Sequence, residues 1–245
     1  MTDSLIAIVP AAGIGQRATR AGEPPLPKQY RLIAGQPMLR HAVQALLADT
    51  RITQVRVAVS PGDQWANHAL AGLPRTVCRP CGGATRADTV AAALADSGAA
   101  DTDWTLVHDA ARPGLPPDAL ARLIDACLPD NIGGLLAQPV ADTVKSQRPT
   151  TAHHDPAAPV NTIDAPRVHG TIDRQGLWLA QTPQMFRAGM LRDALAHARA
   201  ARLPVTDEAS AIEAAGHHPL LVPGSLRNLK VTWPDDFDFM EKWLS

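Results

Sequence analysis

The sequence predicts an α/β protein. It should have one mostly parallel sheet, helices on both faces, and an excursion from the sheet in its second half. Three observations carry this. Short apolar runs at 5–9, 54–60, 104–108 and 133–140 alternate with helical patterns at 38–47, 85–94 and 116–128, which is the order of a parallel sheet covered on both sides. Polar clusters at 10–17, 82–89 and 109–112 follow strand-like runs, and open α/β sheets gather ligands at the carboxyl ends of their strands. Residues 141–170 then break the alternation, with Pro149, Pro156, Pro159 and Pro166 among Thr, His, Asp and Asn, a composition that buries no core.

The elements follow in order. Residues 5–9 are almost unbroken in apolar character, as in a strand buried on both faces. Met38, Leu39, Ala42, Val43, Leu46 and Leu47 recur at helical spacing behind Pro37, and a first helical turn tolerates proline. Val55, Val57 and Val59 alternate as a strand, the turn 61–63 precedes a short helix, and 76–78 reads as a further short strand. An alanine-rich helix spans 85–94, and Leu120, Leu123, Ile124 and Cys127 mark one face of a helix over 116–128. Strand-like segments at 142–145 and 168–173 flank the proline-rich stretch and predict a two-stranded ribbon. Residues 177–181 resume β character. Met190 to Ala198 is helical in spacing, and Thr206 with two following acids opens another helix as its cap. Short strands at 220–222 and 229–231 and a helix over 234–244 complete the chain.

With 245 residues, 45% of them hydrophobic, the chain suffices for one sizeable core, and the expectation is a single domain over 1–245 carrying an extended arm at about 141–176. The 23 basic and 24 acidic side chains leave a net charge of −1, which gives no electrostatic reason for a nucleic-acid or membrane-surface partner. No apolar run approaches a spanning helix, and the first residues lack a basic-then-apolar secretory pattern. Three cysteines without framework spacing point to a reducing, cytoplasmic compartment. Cys78 and Cys81 form a lone C-x-x-C with no second pair nearby, so a strand end and loop stands beside a metal or redox reading. The nine histidines show no metal-ligand spacing.

The chemistry concentrates first in P-A-A-G-I-G-Q-R over 10–17 and P-K-Q-Y over 27–30. Glycine permits a tight turn and close approach of a ligand to the main chain, and inward-pointing N–H groups in such a loop hold phosphate oxygens. Pro10, Ala11, Ala12, Gly13 and Gly15 form that loop, and Arg17 and Lys28 add positive charge from either end. The spacing lacks the P-loop lysine and carries Ala18 where a G-x-G-x-x-G motif has its third glycine, so a structural turn stands beside phosphate binding on the loop alone. Asp109 at a strand terminus suits a hard divalent cation, which takes one or two protein carboxylates and leaves other positions to phosphate and water. The alternative is a loop ion pair with Arg112. Gly82, Gly83, Arg86, Asp88 and Thr89 read either as a base-contacting loop or as a glycine turn before a helix.

Together, P-A-A-G-x-G-x-R with P-K-Q-Y resembles the sugar-nucleotide pyrophosphorylase superfamily, and within it the 2-C-methyl-D-erythritol 4-phosphate cytidylyltransferases. H-D-A-A-R-P at 108–113, P-V-x-D-T-x-K with Thr143, D-R-x-G-L-W with Arg174, T-P-Q with Thr182, T-D-E-A-S-A at 206–211 and N-x-K-V-T with Lys230 extend the likeness over about residues 5–235. The resemblance implies a Rossmann-like nucleotidyltransferase fold with a β-arm, and transfer of CMP from CTP to 2-C-methyl-D-erythritol 4-phosphate with release of pyrophosphate, with Mg²⁺ or another divalent cation on Asp109. It implies catalytic roles for Arg17 and Lys28, base and nucleotide contacts from Gly82, Gly83, Arg86 and Thr89, and acceptor binding by Arg174, Lys230, Thr143, Arg112 and Thr182. It further implies a homodimer in which the arm reaches the partner. The chain departs from the pattern at Ala84, where the family often has an acid, and in a longer, proline-richer stretch over 148–168. A cytidylyltransferase for another polyol phosphate, such as ribitol 5-phosphate, and a non-catalytic nucleotide-binding domain are the alternatives. No general base is expected, because a phosphate acceptor is already anionic near neutral pH, with a second pKa of ~6.

Overall fold

The computed structural model describes residues 3–13, 26–148 and 166–245. In chain order it contains β1 (Leu5–Pro10), the hairpin β2 (Leu32–Ile33) and β3 (Gln36–Pro37), α1 (Met38–Leu47), β4 (Ile52–Ala58), α2 (Ala66–Ala69), β5 (Thr76–Arg79), α3 (Arg86–Ser97), β6 (Trp104–Val107), α4 (Pro117–Cys127) and β7 (Gly133–Pro139). There follow β8 (Val144–Gln147), β9 (Val168–Ile172), β10 (Trp178–Arg187), α5 (Ala188–Ala200), α6 (Glu208–Ala214), β11 (Leu220–Pro223) and α7 (Pro234–Leu244). The chain divides into two compact units, Gln138–Leu179 and the remainder.

The larger unit is organised by a seven-stranded sheet in the order β11-β7-β10-β6-β1-β4-β5. β1 runs parallel to β4 and β6, β4 parallel to β5, and β11 parallel to β7, while β10 is antiparallel to β6. Alternation along β1 sorts the core. Leu5, Ala7 and Val9 face one layer with Leu39, Val43 and Leu46 of α1 and Leu120, Leu123 and Ile124 of α4. Ile6 and Ile8 face the other with Val90 and Leu94 of α3, Leu191 and Leu195 of α5, and Ile212 of α6. Each large side chain so buried contributes roughly 1.5–3 kcal/mol. From β1 the chain steps to β4 on one side and later to β6 on the other. The crevice at their carboxyl ends is the topological switch point where such sheets take ligands.

Three local expectations are corrected. β10 runs to Arg187, well beyond the predicted 181, and pairs Gln184 with Val107 and Arg187 with Trp104. Residues 182–186 are all buried, so no alternation marks them, and Pro183 disguises the strand. Residues 229–231 form no strand. They follow a short 3-10 turn (Leu226–Asn228), and the Val231 N–H donates to the Ala111 carbonyl at 2.8 Å. The cap of α6 is Asp207 in place of Thr206. Its carboxylate accepts from the Ser210 N–H, and Ser210 Oγ accepts from the Asp207 N–H.

In the smaller unit, β8 and β9 pair antiparallel, with Val144 opposite Ile172 and Gln147 opposite Val168. Val168, Ile172, Leu177, Trp178 and Leu179 are exposed on it. Among the described residues no helix is long and apolar enough to cross a membrane.

Candidate active site

The first loop leaves the sheet at Ala11, whose N–H still bonds to the Ala58 carbonyl at 2.8 Å. Side chains from elsewhere then hold it. Gln29 is buried and donates to the Ala11 carbonyl at 2.8 Å, and Ser60 Oγ donates to the Ala12 carbonyl at 2.8 Å. Gly82 packs directly beneath. A Cβ there would collide with the Ala12 Cβ and lie 2.8 Å from the Val59 carbonyl oxygen. This glycine is therefore required by loop-against-loop packing, a different reason from the ligand approach that its sequence context suggested.

Gly83 meets the amino end of α3. A Cβ on it would meet that of Asp88 at 2.5 Å. Thr85 caps α3, accepting from the Asp88 N–H, while Asp88 Oδ2 accepts from the Thr85 N–H and hydroxyl. Thr89 is buried. Its hydroxyl proton goes to the Thr85 carbonyl at 3.0 Å, and its oxygen accepts from the Gly83 N–H at 3.0 Å. Thr89 thus shapes the 83–85 turn.

Asp109, just beyond β6, is the electrostatic hub. It is 7% exposed. Arg86 Nε lies 2.9 Å from its Oδ1, Lys230 Nζ 2.8 Å from its Oδ2, and Arg112 Nε 3.9 Å from Oδ2. Burial opposes its charge, but Arg86, Lys230 and Arg112 prevail and hold the carboxyl well below the usual range. Metal ligation and ion pairing with Arg112 are the alternative readings of this residue in the sequence; the ion pairs extend beyond Arg112, at 3.9 Å, to the closer Arg86 and Lys230. Arg86 and Arg112 are each aimed by a second contact. Arg112 Nη1 donates to the Asn228 carbonyl at 2.7 Å, and Asn228 Nδ2 donates to the Thr182 carbonyl at 2.6 Å. Fully buried Asn228 therefore fixes the segment that presents Lys230. Lys28 Nζ donates to the Val231 carbonyl at 2.6 Å, which brings the P-K-Q-Y and N-x-K-V-T strings together.

The turn carrying Asp109 is fastened by His108. The Asp109 N–H donates to Thr182 Oγ1 at 3.0 Å, Thr182 Oγ1 lies 3.1 Å from His108 Nδ1, and His108 Nε2 lies 3.1 Å from the Arg112 carbonyl. A carbonyl only accepts, so Nε2 carries the proton and Nδ1 accepts from the Thr182 hydroxyl. Burial pulls His108 down from 6.5 to about 4. Between those values the unfolded chain binds a proton that the folded chain refuses. The stabilisation is therefore complete above pH ~6.5 and is lost as pH falls toward 4, by about 3 kcal/mol. Urea unfolding at pH 7 and pH 4.5 is expected to show this loss, and His108→Gln to flatten it. An equal pH dependence in both proteins would refute the assignment.

Two cavities meet at this hub. One, of about 260 Å³, is lined by Pro10, Ala11, Ala12 and Gly13 of the first loop, by Lys28, and by Gly83, Ala84 and Thr89 around the start of α3. The other, of about 230 Å³, is lined by Arg112, Gln181, Thr182 and Asp207 among others. Arg86, Asp109 and Lys230 line both. Arg17 and Gly15 lie outside the described residues. Thr143 and Arg174 belong to the smaller unit, where both are exposed; the Arg174 carbonyl accepts from the Leu177 N–H at 3.0 Å. The residues that sequence reasoning missed are Gln29, Asn228, His108 and Glu208. Each sits inside a string already singled out, and Gln29 and His108 stand directly beside Lys28 and Asp109.

Two anionic reactants could meet across one shared cationic wall here, which is the arrangement of a nucleotidyltransferase. The chain belongs to the 2-C-methyl-D-erythritol 4-phosphate cytidylyltransferase family, whose model matches residues 5–245. It is 75% identical to the enzyme of that name from Bordetella petrii over the full length of both chains. Among solved structures it is similar to a 4-diphosphocytidyl-2C-methyl-D-erythritol synthase, at 38% identity and a TM-score of 0.82 with both chains fully covered. It is also similar to the 2-C-methyl-D-erythritol 4-phosphate cytidylyltransferase of Francisella tularensis, at 31% identity and a TM-score of 0.77 with 99% and 100% covered.

Proposed function

We propose that this chain transfers CMP from CTP to 2-C-methyl-D-erythritol 4-phosphate, forming 4-diphosphocytidyl-2-C-methyl-D-erythritol and pyrophosphate in non-mevalonate isoprenoid synthesis. The observation that carries the reading is the Asp109 hub, whose Arg86 and Lys230 line both cavities. An acceptor phosphate oxygen bonds to the α-phosphorus of CTP as the bond from that phosphorus to the bridging oxygen of pyrophosphate breaks. The acceptor needs no deprotonation, and buried His108 is left to its structural role. The protein's task is to align two polyanions and offset their charge. Lys28 and Arg17 are assigned to the triphosphate, with the backbone of 10–13 cradling it. Gly82, Gly83 and Thr89 are assigned to shaping the pocket for the base, where Ala84 offers no acidic side chain. Lys230, Arg112 and Thr182 are assigned to the acceptor.

A divalent cation, Mg²⁺ by preference, fits the donor set. The described residues hold no group of three or more His, Cys, Asp or Glu side chains that would cage a metal. One carboxylate at a triphosphate pocket matches a cation that draws its other ligands from phosphate and water. Asp109 would hold it, and when bound it would offset charge on the phosphates. Pyrophosphate release measured across the four nucleoside triphosphates, with 2-C-methyl-D-erythritol 4-phosphate and ribitol 5-phosphate as acceptors, tests the reading. Turnover confined to CTP and the methylerythritol phosphate is expected; preference for the ribitol compound, or no turnover, would overturn it. The three free thiols support a reducing, cytoplasmic setting.

The arm at about 141–176 is assigned to a homodimer contact, with Thr143 and Arg174 serving the partner's acceptor site. A two-stranded ribbon with exposed Val168 and Ile172 is marginal alone in water and gains from a partner surface. Mixing Arg174→Ala with Lys28→Ala under subunit exchange is expected to restore about half the activity per mixed dimer, because one site then carries both lesions and the other neither. No recovery despite confirmed exchange would place Arg174 in its own chain's site or in none.

A further inference from the structure

Arg86 has a second carboxylate partner that the reaction does not call upon. Glu208, in the first turn of α6, is 1% exposed and takes both outer nitrogens of the guanidinium, with Nη1 at 2.7 Å from Oε1 and Nη2 at 3.0 Å from Oε2. Arg86 Nε faces the opposite way, onto Asp109. The two carboxylates thus divide one planar fork between them, and a guanidinium held on two edges has a fixed plane. Burial works against the Arg86 charge, but Glu208 and Asp109 outweigh it and keep the cation firmly protonated. Glu208 itself cannot swing. Gln184 of β10 accepts from the Ala209 N–H at 2.7 Å and donates to Asp207 Oδ2 at 2.8 Å, which pins the start of α6 to the sheet.

We infer that Glu208 is a positioning residue for nucleotidyl transfer: it fixes the plane of Arg86 and sets the charge of the wall shared by the two cavities. The inference rests on the function proposed above. Glu208 lines neither cavity, whereas Arg86 lines both. Asp109 and Glu208 together offset two of the three charges of Arg86, Arg112 and Lys230. Burial pushes the Glu208 carboxyl upward, and the two Arg86 hydrogen bonds oppose that and favour its charged form. Those five side chains then carry one net positive charge, with Asp207 a further acid on the second cavity, and neutralising Glu208 adds one positive charge to the group. Freed from Glu208, the guanidinium can turn its outer nitrogens toward Asp109 or toward an entering phosphate. Ground-state attraction for a polyanion then rises while alignment is lost. A helix-to-helix clamp with no part in the chemistry predicts otherwise, since a loosened fold weakens binding and turnover together.

The test uses Glu208→Gln in the full chain. Wild-type pyrophosphate release from CTP and the acceptor is measured first; its absence counts against the proposed function and is distinct from any result on the variant. For the variant, kcat is expected to fall at least about tenfold while CTP without divalent cation binds about 3–10-fold more tightly by calorimetry, since binding that stabilises the ground state alone does not speed the reaction. Unchanged kcat, or CTP binding weakened in step with kcat, would overturn the inference. Arg86→Gln and the double variant Arg86→Gln/Glu208→Gln close the case if Glu208→Gln alone does not fold, because the double variant strands no buried charge. Equal kcat in those two proteins is expected if Glu208 acts through Arg86. A further loss in the double variant would overturn it.

Discussion

Asp109→Asn is expected to abolish divalent-cation-dependent turnover, with a loss of 10³-fold or about that, the upper end of the effect of removing one electrostatic contact from a transition state. The residue is the meeting point of Arg86, Lys230 and Arg112 at the wall common to both cavities. The asparagine keeps the shape and loses the charge. It also leaves Arg112 and Lys230 without that anion, while Arg86 keeps Glu208 and Lys230 is half-exposed, so stability is expected to fall by less than the roughly 3–5 kcal/mol of breaking a fully buried pair. The two effects separate experimentally. Denaturant unfolding gives the stability loss, and steady-state rates well below the unfolding midpoint, titrated with Mg²⁺, give the catalytic one. A folded Asp109→Asn protein with wild-type turnover, or wild type that works in excess chelator, would remove Asp109 from the reaction.

Lys28→Ala should lower kcat by about 10²–10³ while changing the KM for CTP much less, the pattern of a contact that strengthens as charge develops on the leaving pyrophosphate. Lys28 lines the cavity beneath the first loop, and its ammonium rests 2.6 Å from the Val231 carbonyl. A rise in KM at constant kcat would instead make it a ground-state binding residue, and no change in either would remove it from the site.

The parts of this site legible in the sequence are those whose chemistry is local. Apolar runs ending in small or polar residues gave β1 and β6 with the loops that follow them, and Thr85 before an alanine-rich run marked the start of α3. What escaped depends on contacts made far along the chain. Glu208 read as a helix-opening acid, yet its partner lies 122 residues away. Asn228 stood only as the first residue of the N-x-K-V-T string, yet it is buried and donates to the Thr182 carbonyl of β10. The carboxyl half of β10 was hidden because burial on both faces erases alternation and Pro183 argues for a break. Residues 229–231 carried the alternation of a strand, yet the described contacts place only a single main-chain bond to Ala111 there.

The segment bearing Lys28 ends at Tyr30, whose hydroxyl donates to Asp63 at 2.6 Å and whose ring centroid lies 5.6 Å from that of Trp65 at a tilt of 34°. Tyr30 is the only tyrosine in the chain. The molecule therefore carries a built-in optical donor and acceptor one residue beyond the Lys28–Gln29 pair. At that separation Tyr30 emission is expected to pass to Trp65. Substrate that shifts the 28–30 segment would change the Tyr30–Trp65 contact, and comparison with Trp65→Phe, which keeps the other four tryptophans, would isolate the share of the ultraviolet emission that this pair contributes.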